Sequence, residues 1–135
     1  MIVVMIMTKM DPLADALSAI MNAELVGKHR VVVPRTKLVS FVLREFKKHN
    51  YVKSFKIIED GRGGRIEVEL MGRINKCGVI KPRYPVRAKE IYAIAKEYLP
   101  ARGIGYLIIS TPEGIMTHED AIQKNIGGRL IAYVY

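Results

Sequence analysis

The chain has 135 residues, 50% apolar and 26% charged, enough to bury a core in one domain or two small lobes, which excludes a wholly disordered polypeptide. It carries 22 Lys and Arg against 13 Asp and Glu, a formal net charge of +9. A small protein with this charge repels itself unless a polyanion offsets it; nucleic acid is the first such partner to consider and an anionic membrane surface the second.

The one cysteine, Cys77, excludes an intramolecular disulfide and a Cys-based zinc cluster, and fits a reducing, cytoplasmic compartment. Residues 1–7 are apolar, but the run is too short to span a membrane and lacks the basic start of a signal peptide. It is expected to be either an edge strand or a surplus start, with residues 1–6 a mis-assigned or flexible leader.

Asp11-Pro12 opens the first helix: Asp11 can cap free N–H groups and Pro12 suits the first helical position. Leu13, Ala16, Leu17, Ile20 and Met21 then recur at helical spacing, and Gly27 is a stop. Residues 30–33 are a short strand closed by Pro34. A second helix opens at Arg35 or Thr36 and buries Leu38, Val39, Val42, Leu43 and Phe46, with Arg44, Lys47 and Lys48 opposite and Asn50 at its end. Strands over 52–59 and 65–71 follow. In the second of these, Ile66, Val68 and Leu70 alternate with Arg65, Glu67 and Glu69. Between the two strands, Asp60-Gly61-Arg62-Gly63-Gly64 is a hairpin turn.

Residues 72–86 hold Lys76, Lys81, Arg83, Pro82 and Pro85 and suggest a linker with an irregular strand. A helix over 88–99 stops at Pro100. Residues 105–110 form a buried strand, 111–114 a turn, and Thr117 caps a short helix to about Lys124 that Gly127-Gly128 ends. A last strand covers 130–135. The expected fold class is α+β with two lobes. Residues 1–71 make an N-terminal α-β-α-β-β lobe, and residues 72–135 a mainly β lobe with short helices.

Catalytic and metal chemistry finds little support. His29 and His49 fall in basic, exposed contexts and His118 in the first turn of a helix. No pair of histidines has metal-site spacing, so no metal and no cofactor are expected. Cys77 has no His partner and is expected to be an unreactive thiol. Glu119-Asp120 are acids favoured by a helix N-terminus. Gly61-Arg62-Gly63-Gly64 does not open a helix and so lacks phosphate-cradling geometry. The chain is therefore not expected to be an enzyme and has no evident small-molecule substrate.

Nucleic acid fits better. Between Lys28 and Lys56 the only acid is Glu45, as expected of a phosphate-facing surface. Specificity requires groups that sense shape or an unpaired base. In Ser110-Thr111-Pro112-Glu113-Gly114 two hydroxyls stand where a strand meets a turn, and each can donate and accept. A turn built by those hydroxyls is the competing explanation.

The run Gly105-Tyr106-Leu107-Ile108-Ile109-Ser110-Thr111-Pro112-Glu113-Gly114-Ile115-Met116, continued by Thr117-His118-Glu119-Asp120-Ala121, resembles the signature of the small-subunit ribosomal protein eight family. The ending Gly127-Gly128-Arg129-Leu130-Ile131-Ala132-Tyr133-Val134-Tyr135 and the opening Met10-Asp11-Pro12-Leu13-Ala14-Asp15-Ala16-Leu17 also resemble that family. The block from Ile74 through Cys77 to Tyr84 is similar to its archaeal and eukaryotic branch, most of all the archaeal members. The resemblance implies a two-lobed protein of the cytoplasmic ribosome. It would bind a stem with an internal loop in the central domain of small-subunit rRNA (helix twenty-one) and help assemble the platform beside neighbouring ribosomal proteins. Some bacterial members also repress a message that mimics the site. The implied RNA-binding residues are Ser110, Thr111, Pro112 and Glu113 in the loop; Gly127 and Gly128, whose bareness would let backbone approach RNA; and Arg129, a phosphate partner. Tyr84 would stack or pack, Asp11 and Pro12 start a helix near the RNA, and Arg35 and Lys37 supply charge. Two departures stand out: residues 1–6 have no counterpart in the family pattern, and Pro112 replaces a small polar residue. Besides a ribosomal protein, the residues leave open a regulatory RNA binder and a small nucleic-acid enzyme.

Overall fold

The computed structural model describes residues 11–59, 61 and 63–135. The expectations placed on residues 1–10, and on Asp60 and Arg62 of the hairpin, lie outside the described residues.

The first helix, α1 (Pro12–Leu25), starts as its sequence dictates. Asp11 has extended backbone and its carboxylate accepts the Ala14 N–H at 3.2 Å. Leu13, Ala16, Leu17, Ile20 and Ala23 form the buried stripe. Gly27 adopts φ +73°, the left-handed conformation that turns the chain out of the helix. Strand β1 (Arg30–Pro34) follows, then α2 (Lys37–Lys48), whose cap Thr36 accepts the Val39 N–H at 3.1 Å. Val39, Val42, Leu43 and Phe46 face inward from α2. Each such side chain taken out of water contributes about 1.5–3 kcal/mol. Asn50, at φ 64°, ends this helix.

Strands β2 (Val52–Ile58) and β3 (Arg65–Leu70) complete an antiparallel sheet in the order β1-β3-β2. Ile66, Val68 and Leu70 of β3 are buried, as the alternation requires, while Arg65, Glu67 and Glu69 lie on the other face. There, Lys53 and Lys56 pair with Glu69 and Glu67 at 3.6 and 3.4 Å.

The second half contains β4 (Cys77–Val79), β5 (Pro85–Val86), a 3-10 turn (Ala88–Glu90), α3 (Ile91–Tyr98), β6 (Tyr106–Thr111), β7 (Gly114–Thr117), α4 (His118–Lys124) and β8 (Gly128–Val134). Its sheet runs β4-β8-β6-β7, and β5 pairs with the start of β8. The mixed α+β class and the two sheets agree with expectation; several details differ. Residues 72–86 hold two short strands, because β8 is long enough to pair with one at each end. Residues 114–117 are a strand as well as a cap, since the turn at 112–113 is tight enough to return the chain along β6. The helix expected over 88–99 begins with a 3-10 turn. Asn125, left-handed at φ 56°, ends α4, and Gly128 belongs to β8.

The second sheet is covered on both faces, which explains the unbroken apolar run in β6. Ile108 packs with Ala132 and Val134 into the cluster built on α1, α2 and the first sheet; Leu107, Ile109 and Leu130 pack into a second cluster with Ile80, Val86 and Ile91. The β6–β8 register shifts between Ile108 and Ile109, leaving Ile131 without a partner there. Cys77 is buried, and burial, helped by the Glu24 charge, pushes its thiol up to about 12, so it is the unreactive thiol that was expected.

Candidate nucleic-acid interface

The β6–β7 hairpin presents the Ser-Thr pair, but the two hydroxyls do different things. Thr111 is 9% exposed; its Oγ1 donates to the Gly114 carbonyl oxygen at 2.8 Å and accepts the Glu113 N–H at 3.1 Å. It builds the turn, the competing explanation for the pair, and does not point outward. Ser110, one position earlier on the alternating strand, is half-buried, and its hydroxyl makes no hydrogen bond among the described residues. Pro112 and Glu113 are exposed at the tip, and the Glu113 carboxylate accepts from Lys124 at 3.3 Å.

Gly127 and Gly128 are crowded by the protein itself. A Cβ on Gly128 would overlap the Ser110 carbonyl oxygen, and one on Gly127 the Val86 carbonyl oxygen. Their bareness is therefore required by the close approach of β6 and of the chain after β5, whatever RNA does nearby. Arg129 lies opposite Ser110 in the ladder, on the same face of the sheet. Its Nη1 donates to the Arg83 carbonyl oxygen at 2.8 Å, and the side chain is exposed. Tyr84 is half-buried against the second cluster. Burial, with a hydrogen bond to Tyr98, pushes its phenol up to about 12, so packing describes it better than an open stacking platform.

Asp11 ties the halves together. Its carboxylate pairs with Lys81 at 3.0 Å and with Arg83 at 3.8 Å. Burial works to raise its pKa, but the Lys81 hydrogen bond, the Ala14 N–H and the two cationic charges outweigh it, and the net shift is downward. Asp11, Pro12, Thr36, Lys81 and Arg83 line one shallow groove. A line of contacts thus runs from Ser110 through Arg129 and Arg83 to Asp11 and Thr36, with Lys37 next along the chain. Lys37 is exposed and has no ion-pair partner among the described residues. Arg35 leaves this line: its Nη1 donates to Glu59 at 3.2 Å and to the Gly63 carbonyl at 3.3 Å.

Lys81 and Arg83 were not singled out as site residues from sequence. Their signal was present in a cation- and proline-rich segment, but only the fold lays it beside the start of α1. Among the described residues no helix is long and apolar enough to cross a membrane. A family model described as Ribosomal protein S8 matches residues 11–135, nearly the whole chain. That family is a structural one of the ribosome. Contiguous basic groove, Ser110 hairpin and family match agree, and the chain belongs to the ribosomal protein S8 family, whose members are rRNA-binding proteins of the small ribosomal subunit.

Proposed function

We propose that this chain binds directly to the central domain of small-subunit rRNA, at a stem with an internal loop, and helps fold the subunit platform beside neighbouring ribosomal proteins. It acts by binding in the cytoplasmic ribosome and not as an enzyme. The observation that supports this best is the continuous line from the half-buried Ser110 hydroxyl to the Asp11 groove. It sets a hydrogen-bonding group with no internal partner in a row of cations. In this reading, Ser110 and the exposed tip at Pro112 and Glu113 sense the distorted loop. Arg129, Arg83, Lys81 and Lys37 meet phosphates. Gly127, Gly128, Thr111 and Tyr84 hold those groups in place, and Asp11 and Pro12 set the angle of α1 beside them. The lobe of residues 72–135 carries the specific contacts and that of residues 1–71 adds charge. The block from Ile74 to Tyr84 supports placement in the archaeal and eukaryotic branch.

The test compares two RNAs at about 0.3 M salt, where sequence-independent phosphate attraction is largely suppressed. One is the central-domain stem with its internal loop; the other is a plain duplex of equal length. Tight binding to the first alone is expected. Equal weak binding to both would reduce the chain to a general polyanion binder. Tight binding to a message fragment instead would make it a regulator.

A further inference from the structure

RNA binding leaves a partly buried cluster unexplained between the end of α2 and the start of α4. Glu45 on α2 and His49, which caps the C-terminus of that helix, are four residues apart and so lie on one side of it. Asp120, in the first turn of α4, approaches the same point from the other half of the chain. One ligating atom from each of the three lies within 4.8 Å of the other two. Glu45 is 6% exposed, yet its Oε1 has no hydrogen-bond partner among the described residues; nor has the buried Nε2 of His49. Two unsatisfied buried polar atoms are costly, because such groups in proteins are otherwise paired or coordinate a metal. The surroundings are fixed. The His49 ring lies against Tyr106 with centroids 4.2 Å apart, and Tyr51 meets Tyr106 edge-on. The other nearby imidazole, His118, is buried with its Nδ1 accepting the Leu107 N–H at 3.1 Å, so that nitrogen is occupied.

We propose that Glu45, His49 and Asp120 form a binding site for a first-row divalent cation of the zinc class, which clamps α2 of the first lobe to α4 of the second. The imidazole nitrogen is the borderline donor that favours such an ion, and carboxylate oxygens are accepted beside it. Mg²⁺ and Ca²⁺ call for more oxygen ligands. Metal–ligand bonds of roughly 2.0–2.2 Å put tetrahedral ligands about 3.4 Å apart, so small side-chain rotations close the site. Two carboxylates neutralise the dication, and water completes the fourth position. The proposal does not depend on the RNA reading, since none of the three residues lies in the Ser110–Asp11 line.

The competing occupant of the same atoms is a proton, with a charged His49 bridging the two carboxylates. The experiment strips the full-length, untagged chain with a chelator and titrates it with Zn²⁺ by calorimetry near neutral pH, using Co²⁺ as an optical probe. One Zn²⁺ per chain, a higher Tm, and visible Co²⁺ bands of tetrahedral intensity are expected. Glu45→Gln and Asp120→Asn should each weaken uptake by at least about tenfold, whereas Glu119→Gln, at the exposed neighbour of Asp120, should leave it unchanged. Should Glu45→Gln fail to fold, Asp120→Asn, half-buried at a helix start, carries the comparison with circular dichroism confirming its fold. Absence of stoichiometric uptake, or uptake unchanged in Asp120→Asn, would overturn the site and leave the protonated bridge.

Discussion

The Thr111 hydroxyl closes the β6–β7 hairpin by donating to the Gly114 carbonyl oxygen at 2.8 Å, while Ser110 beside it has no such internal partner. Adjacent residues on a strand face opposite sides, so a Ser-Thr pair at a strand end divides into one structural and one free hydroxyl. Thr111→Val keeps the shape and removes two hydrogen bonds, which should lower stability by about 1–2 kcal/mol in urea unfolding. Ser110→Ala should leave stability within about 0.5 kcal/mol. It should weaken binding to the looped stem by roughly 2–12-fold, the value of one net hydrogen bond. Equal stability losses in the two variants would contradict the division.

The two cations at the start of α2 should separate in the same way. Lys37 is exposed and unpaired among the described residues, whereas Arg35 holds Glu59 and the Gly63 carbonyl. Lys37→Ala should weaken binding to any duplex and reduce the slope of log K against log salt by about 1. Arg35→Ala should change that slope less and instead loosen the β2–β3 loop, raising amide exchange near Gly63. A salt slope that falls more for Arg35→Ala would place the phosphate contact on Arg35.

Much of this was legible in the chain because local signals carried it. Asp11-Pro12, Thr36 and Thr117 are caps whose side chains do what the sequence order implies. The alternation in 65–70 gave the buried face of β3 because one face of that sheet is wetter than the other. What escaped depends on contacts between distant segments. Strands of three and two residues, β4 and β5, are too short for periodicity, and both pair with the distant β8. Glu45, the one acid in a basic stretch, is buried on the inward stripe of α2. His49, expected to be exposed, is half-buried against Tyr106. Nothing near either residue in sequence signals Asp120.

Gly128 shows how a residue implied for RNA contact can be required by the fold. A methyl group there meets the Ser110 carbonyl oxygen and the Ile109 side chain, neither of which can move without disturbing the β6–β8 ladder. Gly128→Ala should therefore destabilise by about 1–3 kcal/mol through overpacking. The loss should be visible in the free protein by thermal unfolding, before any RNA is added. A variant with unchanged Tm and weakened RNA binding would return the glycine to the role of admitting RNA backbone.

Asp11 predicts a pH dependence whose sign follows from its lowered pKa. A carboxyl with a folded pKa below its ordinary 3.8 contributes stability that is fully present above that ordinary value and is lost as pH falls through the folded value. Stability should therefore decline below about pH 4 with a component that Asp11→Asn removes. Asn retains the capping oxygen for the Ala14 N–H but gives up the charge facing Lys81 and Arg83. Lys81 is 58% exposed, so solvent screens the pair and its loss near neutral pH should cost only about 0.2–1 kcal/mol. Asp11→Ala removes the cap as well and should cost about 1 kcal/mol more than Asn. Urea unfolding of the three proteins from pH 7 down to pH 3 checks both statements. Parallel curves for wild type and Asp11→Asn across the acid limb would show that the bridge from α1 to the Lys81–Arg83 segment contributes nothing to holding the two halves together.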